Sequence, residues 1–169
     1  MPHRVTPIHV VVTGDTHLGP RRRSPLPPAL LAACARADRI LHTGDVTDLA
    51  LLDELGALAP LDGVAGNCDG WDVAARLPVE QTVEIGGVAI ALVHDSGPDR
   101  ERRARLRAHF PGARVVCFGH SHQPVCEDRD GLLLLNPGSP TERRRARWHS
   151  YAELTIGPDA AVEAHIVRL

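Results

Sequence analysis

Aromatic residues and excess charge are both scarce in this sequence. Aromatic residues make up only 3% of the 169 residues, and the formal net charge is −2. A protein that binds nucleic acid through its phosphates needs an excess of positive charge, and one that stacks exposed bases needs aromatic side chains. An anionic membrane surface likewise attracts basic proteins. The composition therefore argues against nucleic acid and against a membrane surface as general partners.

Cysteines are few, and long apolar runs are lacking. The four cysteines, Cys34, Cys68, Cys117 and Cys126, form no CxxC pair, which argues against a disulfide framework. No segment approaches the run of about 20 apolar residues that spans a bilayer, and the apolar run near the N-terminus is too short for a signal peptide. We therefore expect a soluble, cytoplasmic protein with reduced thiols, folded as one domain over residues 1–169.

Short apolar runs alternate with helical stretches along the chain. In the first half, the pattern predicts strands over 8–13, 39–43 and 63–65 and helices over 28–37 and 48–58. In the second half, it predicts strands over 81–85, 88–93, 114–118, 125–128, 132–136, 151–156 and 162–167 and one helix over 99–110. The βαβαβ order of the first half predicts parallel strands with right-handed crossovers, and so an α/β protein.

Five predicted strands are each followed at once by a polar residue that can bind a metal. The segments are IHVVVTGDTH, RILHTGD, GVAGN, VAIALVH and RVVCFGHSH, and four of them have a glycine before the first polar residue. A glycine there lets the chain turn sharply and approach a neighbouring loop closely. Sites in open α/β sheets form outside the carboxyl ends of strands. We therefore expect these polar residues, from one sheet region, to point into one volume.

The residue types in these segments indicate two metal ions. The candidate ligands are Asp15, His17, Asp45, Asn67, His94, His120 and His122. In locally extended chain, the spacing within Asp15–His17 and within His120–His122 places both side chains on one side. Imidazole, carboxylate and amide donors suit Mn, Fe, Ni or Zn. They are too many for one metal with an open position and enough for two, with a carboxylate bridging them.

Each of these segments is weak evidence by itself. A lone histidine at a strand end, such as His94, is more often hydrogen-bonded structure than a metal ligand, and a GD or GN pair occurs at many turns. The paired histidines of GHSH are stronger evidence, because such a pair rarely serves a core. The five segments in this order favour the metal site over the structural alternative.

Taken together, the motifs resemble those of a known enzyme family. GDTHLG, GDV, GNCD, VH, GHSHQP and NPGS follow one another between Gly14 and Ser139. This order resembles the calcineurin-like metallophosphoesterases, and the short length and the GNCD form resemble their small YfcE-like phosphodiesterase branch. The resemblance implies an α/β fold in four layers, an αββα sandwich of two mixed β-sheets flanked by helices.

The resemblance also implies roles for the ligands. Asp15, His17 and His122 would hold the first metal. Asn67, His94 and His120 would hold the second, and Asp45 would bridge the two. Asn136, Gly138 and Ser139 would form a structural loop at the border of the site.

These roles predict a metal-dependent phosphoric ester hydrolase. Two divalent ions, Mn before Fe, Ni or Zn, would share a hydroxide that attacks the phosphorus of a small phosphate ester in line. Asp45, Asn67 and His94 would act through the metals and the hydroxide, without a protein nucleophile. A phosphodiester is favoured over a monoester. The alternatives are a catalytically weak scaffold on the same fold and a nuclease or repair factor, which would need an added DNA-binding or capping region or a basic face. Family members also suggest a homo-oligomer, either a dimer or a tetramer.

The sequence departs from the family pattern beside the predicted ligands. Many relatives have histidine as a candidate general acid where this chain has Cys68, and a thiol is a poor substitute, so esters with poor leaving groups should react slowly. The alternative is that Cys68 only fills space. Asp95 follows His94 where the family often has glycine. If Asp95 faces the site it disfavours dianionic monoesters; alternatively it caps the helix near Asp99 or orients a ligand.

Some further polar residues have both a functional and a structural interpretation. Asp69 either bonds a ligand or a water on the phosphate side, or forms a turn with Gly70. The arginines at 143, 144, 145 and 147 and those at 21–23 either attract phosphate or form solvated loops. His42 is predicted to be a structural histidine with its hydrogen bonds satisfied.

Overall fold

The strands form two mixed five-stranded sheets in the computed structural model, which describes residues 6–18 and 25–169. The first sheet has the order β10-β9-β1-β2-β3, and the second has the order β4-β5-β6-β8-β7. The strands are β1 (Ile8–Thr13), β2 (Arg39–His42), β3 (Leu61–Gly63), β4 (Glu80–Ile85), β5 (Val88–Val93), β6 (Val115–Cys117), β7 (Val125–Arg129), β8 (Leu132–Asn136), β9 (Ser150–Ile156) and β10 (Val162–Arg168). The helices are α1 (Pro28–Cys34), α2 (Leu49–Leu58), α3 (Trp71–Ala74) and α4 (Arg102–His109).

Each sheet has a parallel centre and antiparallel strands beside it. In the first sheet β1, β2 and β3 are parallel, with α1 and α2 as crossovers, while β9 runs antiparallel to β1 and to β10. In the second sheet β5, β6 and β8 are parallel, and the edge strands β4 and β7 are antiparallel to their neighbours. The predicted parallel βαβαβ unit is therefore present, and it accounts for three of the five strands of the first sheet.

The core lies between the two sheets and continues on their outer faces. Val12 and Leu154 of the first sheet pack against Ile90 and Leu135 of the second, in one buried apolar cluster. Leu30 of α1 and Leu52 and Leu55 of α2 cover the other face of the first sheet. Leu106 of α4 covers the other face of the second sheet, against Val116 and Leu134. The result is the four-layer αββα sandwich that the resemblance implied.

Most predicted elements are found within a few residues of their predicted bounds. The third strand is shifted, because Leu61 pairs with Ile40 and Gly63 with His42, which ends the strand before residues 64 and 65. Helix α3 was not predicted, because its four residues show no apolar periodicity. None of the helices in the two described ranges is long and apolar enough to cross a membrane.

The contact between the sheets predicts a strong effect of truncating Leu154. This side chain is fully buried at the centre of β9. The Leu154→Ala variant should lower the free energy of unfolding by about 2–5 kcal/mol, because it removes buried apolar surface and leaves a cavity. Urea unfolding measures this change. The control Val79→Ala truncates a side chain that is 76% exposed and should change stability by less than about 0.5 kcal/mol. Equal losses in the two variants would contradict the assignment of Leu154 to the core.

Candidate metal centre

The predicted ligands follow strands of both sheets and meet at one end of the sandwich. Asp15, His17, Asp45 and Asn67 come from loops after β1, β2 and β3 in the first sheet, whereas His94, His120 and His122 follow β5 and β6 in the second. The expectation that all five loops belong to one sheet region is wrong. The loops still converge, because the carboxyl ends of both sets of parallel strands lie at the same end of the packed sheets. A hydrogen bond of 2.9 Å from the Asp15 amide to the Gly44 carbonyl joins two of them.

Asp15, His17 and His122 form the first group of converging donor atoms. The Nε2 atoms of His17 and His122 are 3.2 Å apart, and His122 Nε2 lies 3.5 Å from Asp15 Oδ1. His122 Nδ1 donates to the backbone carbonyl of Glu142, which leaves Nε2 as the ring nitrogen with a free electron pair. The three residues can together hold a metal ion.

Asn67, His94 and His120 form the second group. Asn67 Oδ1 lies 3.0 Å from His94 Nε2 and 3.0 Å from His120 Nδ1. His94 Nδ1 donates to the Thr43 carbonyl over 2.8 Å, which turns Nε2 of the ring towards the group. Two ring nitrogens and an amide oxygen at these separations suit a borderline divalent metal.

Asp45 lies between the two groups. Its Oδ2 atom is 3.4 Å from His17 Nε2 in the first group and 3.4 Å from His94 Nε2 in the second. Its Oδ1 atom accepts the Cys68 backbone N–H over 2.8 Å. One carboxylate oxygen therefore faces both groups, which is the position that a bridging ligand needs.

The electrostatics of the buried groups suit a cation. Burial raises the pKa of Asp15 to about 7, and its Oδ2 atom is buried without a hydrogen-bond partner among the described residues. Burial also acts to raise the pKa of Asp45, but hydrogen bonds from His94 and from the Cys68 amide outweigh it and hold that pKa well below its usual range. Burial lowers the pKa of His122 to about 4, so the ring is neutral at pH 7, as a metal ligand must be. The donor set thus fits divalent ions.

Several predicted ligands have left-handed backbone conformations. The φ angles of Asp15, His17, Asp45, His120 and His122 lie between 44° and 68°. The prediction of extended chain within Asp15–His17 and His120–His122 is therefore wrong, although the paired side chains do converge. Non-glycine residues in this region cost about 1–2 kcal/mol each. Such strain clusters at functional sites, where the surrounding structure holds it in place.

Two of the glycines are required by close approach of the loops. Gly44 has a φ of +99°, and a Cβ atom there would lie 2.6 Å from His94 Nδ1. A Cβ atom at Gly66 would overlap the carboxylate and backbone nitrogen of Asp45. These glycines let the Asp45 loop contact the Asn67 loop and His94, as the sequence pattern predicted.

Buried polar side chains outside the donor set hold the ligand loops together. His42 Nδ1 accepts the Gly44 N–H, and its Nε2 lies 3.2 Å from Thr16 Oγ1, which in turn donates to the Asp45 carbonyl. Burial lowers the pKa of His42 to about 3, so the ring stays neutral. His42 is thus the satisfied structural histidine that was predicted, and it also joins the Asp15 and Asp45 loops.

Asp69 has a supporting role that neither sequence interpretation described. Its Oδ1 accepts the Thr47 N–H and its Oδ2 accepts the Gly66 N–H, both over 2.7 Å. Its carboxylate therefore does not form the turn with Gly70 that was one of the two predictions. Asp69 connects the loop that carries Asp45 with the loop that carries Asn67.

The NPGS segment supports the centre from the opposite side. Ser139 Oγ donates to the Asp15 carbonyl over 2.7 Å, and Asn136 Nδ2 donates to the Gly119 carbonyl over 3.0 Å. Asn136 Oδ1 also accepts the Gly138 N–H within the segment. These contacts agree with a structural loop that borders the site.

Cys68 and Asp95, the two departures from the family pattern, lie in different surroundings. Cys68 Sγ groups with the donor atoms of His17 and Asp45, within 4.8 Å. Partial burial of the thiol and the nearby Asp45 carboxylate raise the pKa of Cys68 to about 11, so the group is a neutral thiol at pH 7. Asp95 is exposed, and its carboxylate accepts the Gly97 N–H over 2.8 Å. It does not cap a helix near Asp99, because α4 begins at Arg102 and its N-cap is Glu101.

Two charged residues after the NPGS segment lie beside the centre: Glu142, for which the sequence indicated no role, and Arg144, for which it indicated only a shared one. Glu142 Oε2 lies 4.0 Å from His17 Nε2. Arg144 donates to the His120 carbonyl over 3.3 Å, so one member of the arginine run does reach the centre. Only their position after NPGS marks them in the sequence, and it does not separate them from their charged neighbours. The arginines at 21–23 lie outside the described residues.

Comparisons with known proteins agree on one family. The model of the calcineurin-like phosphoesterase superfamily domain matches residues 8–159. A probable metallophosphoesterase of Methanothermobacter thermautotrophicus is 38% identical over 135 residues, which cover 79% of this chain and 77% of that protein. A protein of Thermotoga maritima solved by NMR has a TM-score of 0.74 at 29% identity and covers 96% of this chain and 99% of its own. A crystal structure of a Vps29 mutant from Entamoeba histolytica has a TM-score of 0.74 at 25% identity, with the same two coverages.

The close approach at Gly66 predicts the effect of adding one methyl group. In Gly66→Ala, the new Cβ atom has to displace the Asp45 carboxylate, so the purified protein should bind less divalent metal than the wild type. Gly56→Ala is the matched control, because no atom lies within 4 Å of a Cβ atom there. It should bind metal normally and gain about 0.5–1 kcal/mol of stability, since Gly56 lies within α2. Metal analysis and urea unfolding measure both effects, and normal metal content in Gly66→Ala would contradict the geometry.

Proposed function

The chain belongs to the calcineurin-like metallophosphoesterases, and on that premise we propose that it is a binuclear phosphodiesterase that hydrolyses a small phosphate ester. The observation that carries the proposal is the position of Asp45 Oδ2, 3.4 Å from one histidine of each donor group. A carboxylate oxygen shared in this way suits a two-metal site, in which it would be a ligand to both ions.

The donor groups divide between two metals. In this proposal Asp15, His17 and His122 hold the first ion, Asn67, His94 and His120 hold the second, and Asp45 bridges them. When bound, two divalent ions lower the pKa of a shared water and offset the charge of the phosphate oxygens. Manganese suits the mixture of oxygen and imidazole donors, with Fe, Ni and Zn as alternatives.

The protein residues orient the histidine rings and limit the negative charge beside the substrate. Thr43 fixes the ring of His94 through Nδ1, and Glu142 fixes that of His122 in the same way. Asn67 is a neutral donor, so the second group adds no negative charge beside an anionic substrate. Asp45, Asn67 and His94 would act through the bound metals, without a protein nucleophile.

A preference for diesters has support around the centre. The carboxylate of Glu142, 4.0 Å from His17 Nε2, disfavours an additional negative charge, as on a dianionic monoester. The carboxylate of Asp95, which was first considered for this role, binds Gly97 instead. Asn67 and Cys68 are exposed, and Trp71, at the start of α3, is 86% exposed. This open side leaves room for the second ester substituent of a diester.

A binding scaffold on the same fold is the second candidate. It is supported by the likeness to a Vps29 protein and by the exposed Trp71, which is available to a partner. The presence of all seven donor residues favours hydrolysis. Metal analysis of the purified protein decides between the two, combined with parallel assays on an aryl phosphodiester and an aryl phosphomonoester with Mn²⁺. Absence of bound metal and of activity across a panel of metals would favour the scaffold.

Replacing the bridging carboxylate tests the hydrolase directly. Asp45→Asn should lose metal and lower kcat/KM for an aryl phosphodiester by at least about 100-fold, since even the loss of an outer partner costs up to this factor. The control Asp53→Asn changes a carboxylate that is 68% exposed and paired with Arg76, and it should behave as the wild type. Metal content and hydrolysis that both survive in Asp45→Asn would contradict the bridging role.

The thiol at position 68 predicts a dependence on the leaving group. A neutral thiol with a pKa of about 11 is a weak proton donor at pH 7, so diesters with poor leaving groups should react slowly. Cys68→His should raise kcat for an alkyl diester by about 10-fold or more and that for an activated aryl diester much less. Cys126→His is the matched control, because Cys126 is an exposed thiol on β7. An equal change for both diesters would show that residue 68 does not act on the leaving group.

A further inference from the structure

Arg144 is distinguished from the other arginines after NPGS by its contact with the metal centre. Arg143 donates to the Arg147 carbonyl over 3.1 Å, and Arg147 lies over the Trp148 ring. Arg145 makes no hydrogen bond or ion pair with any residue in the described part of the chain. Arg144 alone among these four donates to a predicted ligand, at the backbone carbonyl of His120.

This contact places a positive charge at the border of both donor groups. His120 contributes Nδ1 to the second group, and its backbone N–H donates to Asp15 Oδ1 in the first. The guanidinium therefore lies beside both donor groups, through its contact with His120.

The backbone at Arg144 is strained, with a φ of 47° in the left-handed region. Arginine has no intrinsic preference for this region, whereas glycine adopts it without strain. Strain of this kind at a residue that contacts a predicted metal ligand points to a function of the side chain.

The Arg144 guanidinium has N–H donors that the His120 carbonyl does not use. Arg144 is exposed, and of its five N–H donors one is used by the His120 carbonyl. The planar fork of arginine matches two oxygens of a phosphate group. Glu142 and Arg144 thus place opposite charges beside the same centre.

From these observations we propose that Arg144 binds the non-bridging phosphate oxygens of the substrate. The proposal rests on the phosphodiesterase function proposed above. Arg144 is a substrate-binding residue in this scheme, and it takes no part in holding the metals.

Arg144→Gln separates the two contacts of this side chain. Glutamine retains a donor for the His120 carbonyl but loses the charge and the fork. On the metal-loaded protein, the dissociation constant for inorganic phosphate, measured by calorimetry, should rise about 10-fold or more, as for the loss of a charge-assisted hydrogen bond. KM for an aryl phosphodiester should rise by a similar factor with little change in kcat. Arg144→Lys should recover part of the phosphate affinity.

The matched control is Arg145→Gln, which removes the same charge from the neighbouring exposed residue. It should bind phosphate and turn over the diester as the wild type does. Equal weakening in the two variants would overturn the proposal, because the effect would then be one of net charge. Loss of metal from Arg144→Gln would overturn it as well, since the side chain would then support the metal centre.

Phosphate binding also separates this proposal from the proposed hydrolase function. A wild-type protein that binds two metals and phosphate but hydrolyses no ester would contradict the hydrolase, while the two glutamine variants would still decide whether Arg144 binds phosphate. A metal-loaded wild-type protein that binds no phosphate, or Arg144→Gln with unchanged phosphate affinity, would overturn the role of Arg144.

Discussion

The structure at the metal centre depends on holding two buried carboxylates and several histidine ring nitrogens within a few ångströms of one another. Asp15 and Asp45 are both buried, and burial raises the pKa of Asp15 to about 7. The Nε2 atoms of His17 and His122 face each other at 3.2 Å. Without a cation, these groups lose hydration and gain little in return. Divalent ions would make the same arrangement favourable, and the donor set fits them.

The rest of the sandwich supplies the rigidity that this arrangement needs. Apolar contacts between the sheets and on their outer faces stabilise the scaffold. The loops that follow the strands place the predicted ligands at one end of the sandwich. His42, Asp69 and Ser139 then connect the loops by hydrogen bonds to backbone groups. Left-handed backbone at five of the seven predicted ligands costs stability that these contacts must offset. The centre is therefore a locally strained region on a well-packed scaffold.

The charges around the centre, more than the ligands themselves, are expected to determine the substrate. The seven donors are those of the family pattern and describe the chemistry that the metals support. Glu142, Arg144 and Cys68 lie beside them, and they differ in charge and in ability to donate a proton. In the proposed scheme, the negative group disfavours a doubly charged ester and the neutral thiol favours a good leaving group. The proposed substrate preference thus rests on side chains outside the seven predicted ligands.

The sequence by itself indicated most of the elements and the candidate donors. Strand ends followed by glycine and a polar residue are local patterns, so the positions of Asp15, Asp45, Asn67 and His94 could be predicted without knowing what surrounds them. The order of the motifs also indicated the four-layer sandwich, through the resemblance. The one-turn helix α3 escaped prediction, because four residues carry no periodicity.

Only the tertiary structure decided what faces the centre. It showed that the ligands come from two sheets, that Asp95 binds Gly97, and that Asp69 joins two loops. It also brought Glu142 to His17 and Arg144 to His120, although 125 and 24 residues separate them along the chain. The physical reason is that these roles arise from the packing of distant loops. A charged residue in a loop looks the same in the sequence whether it meets solvent or a metal ligand.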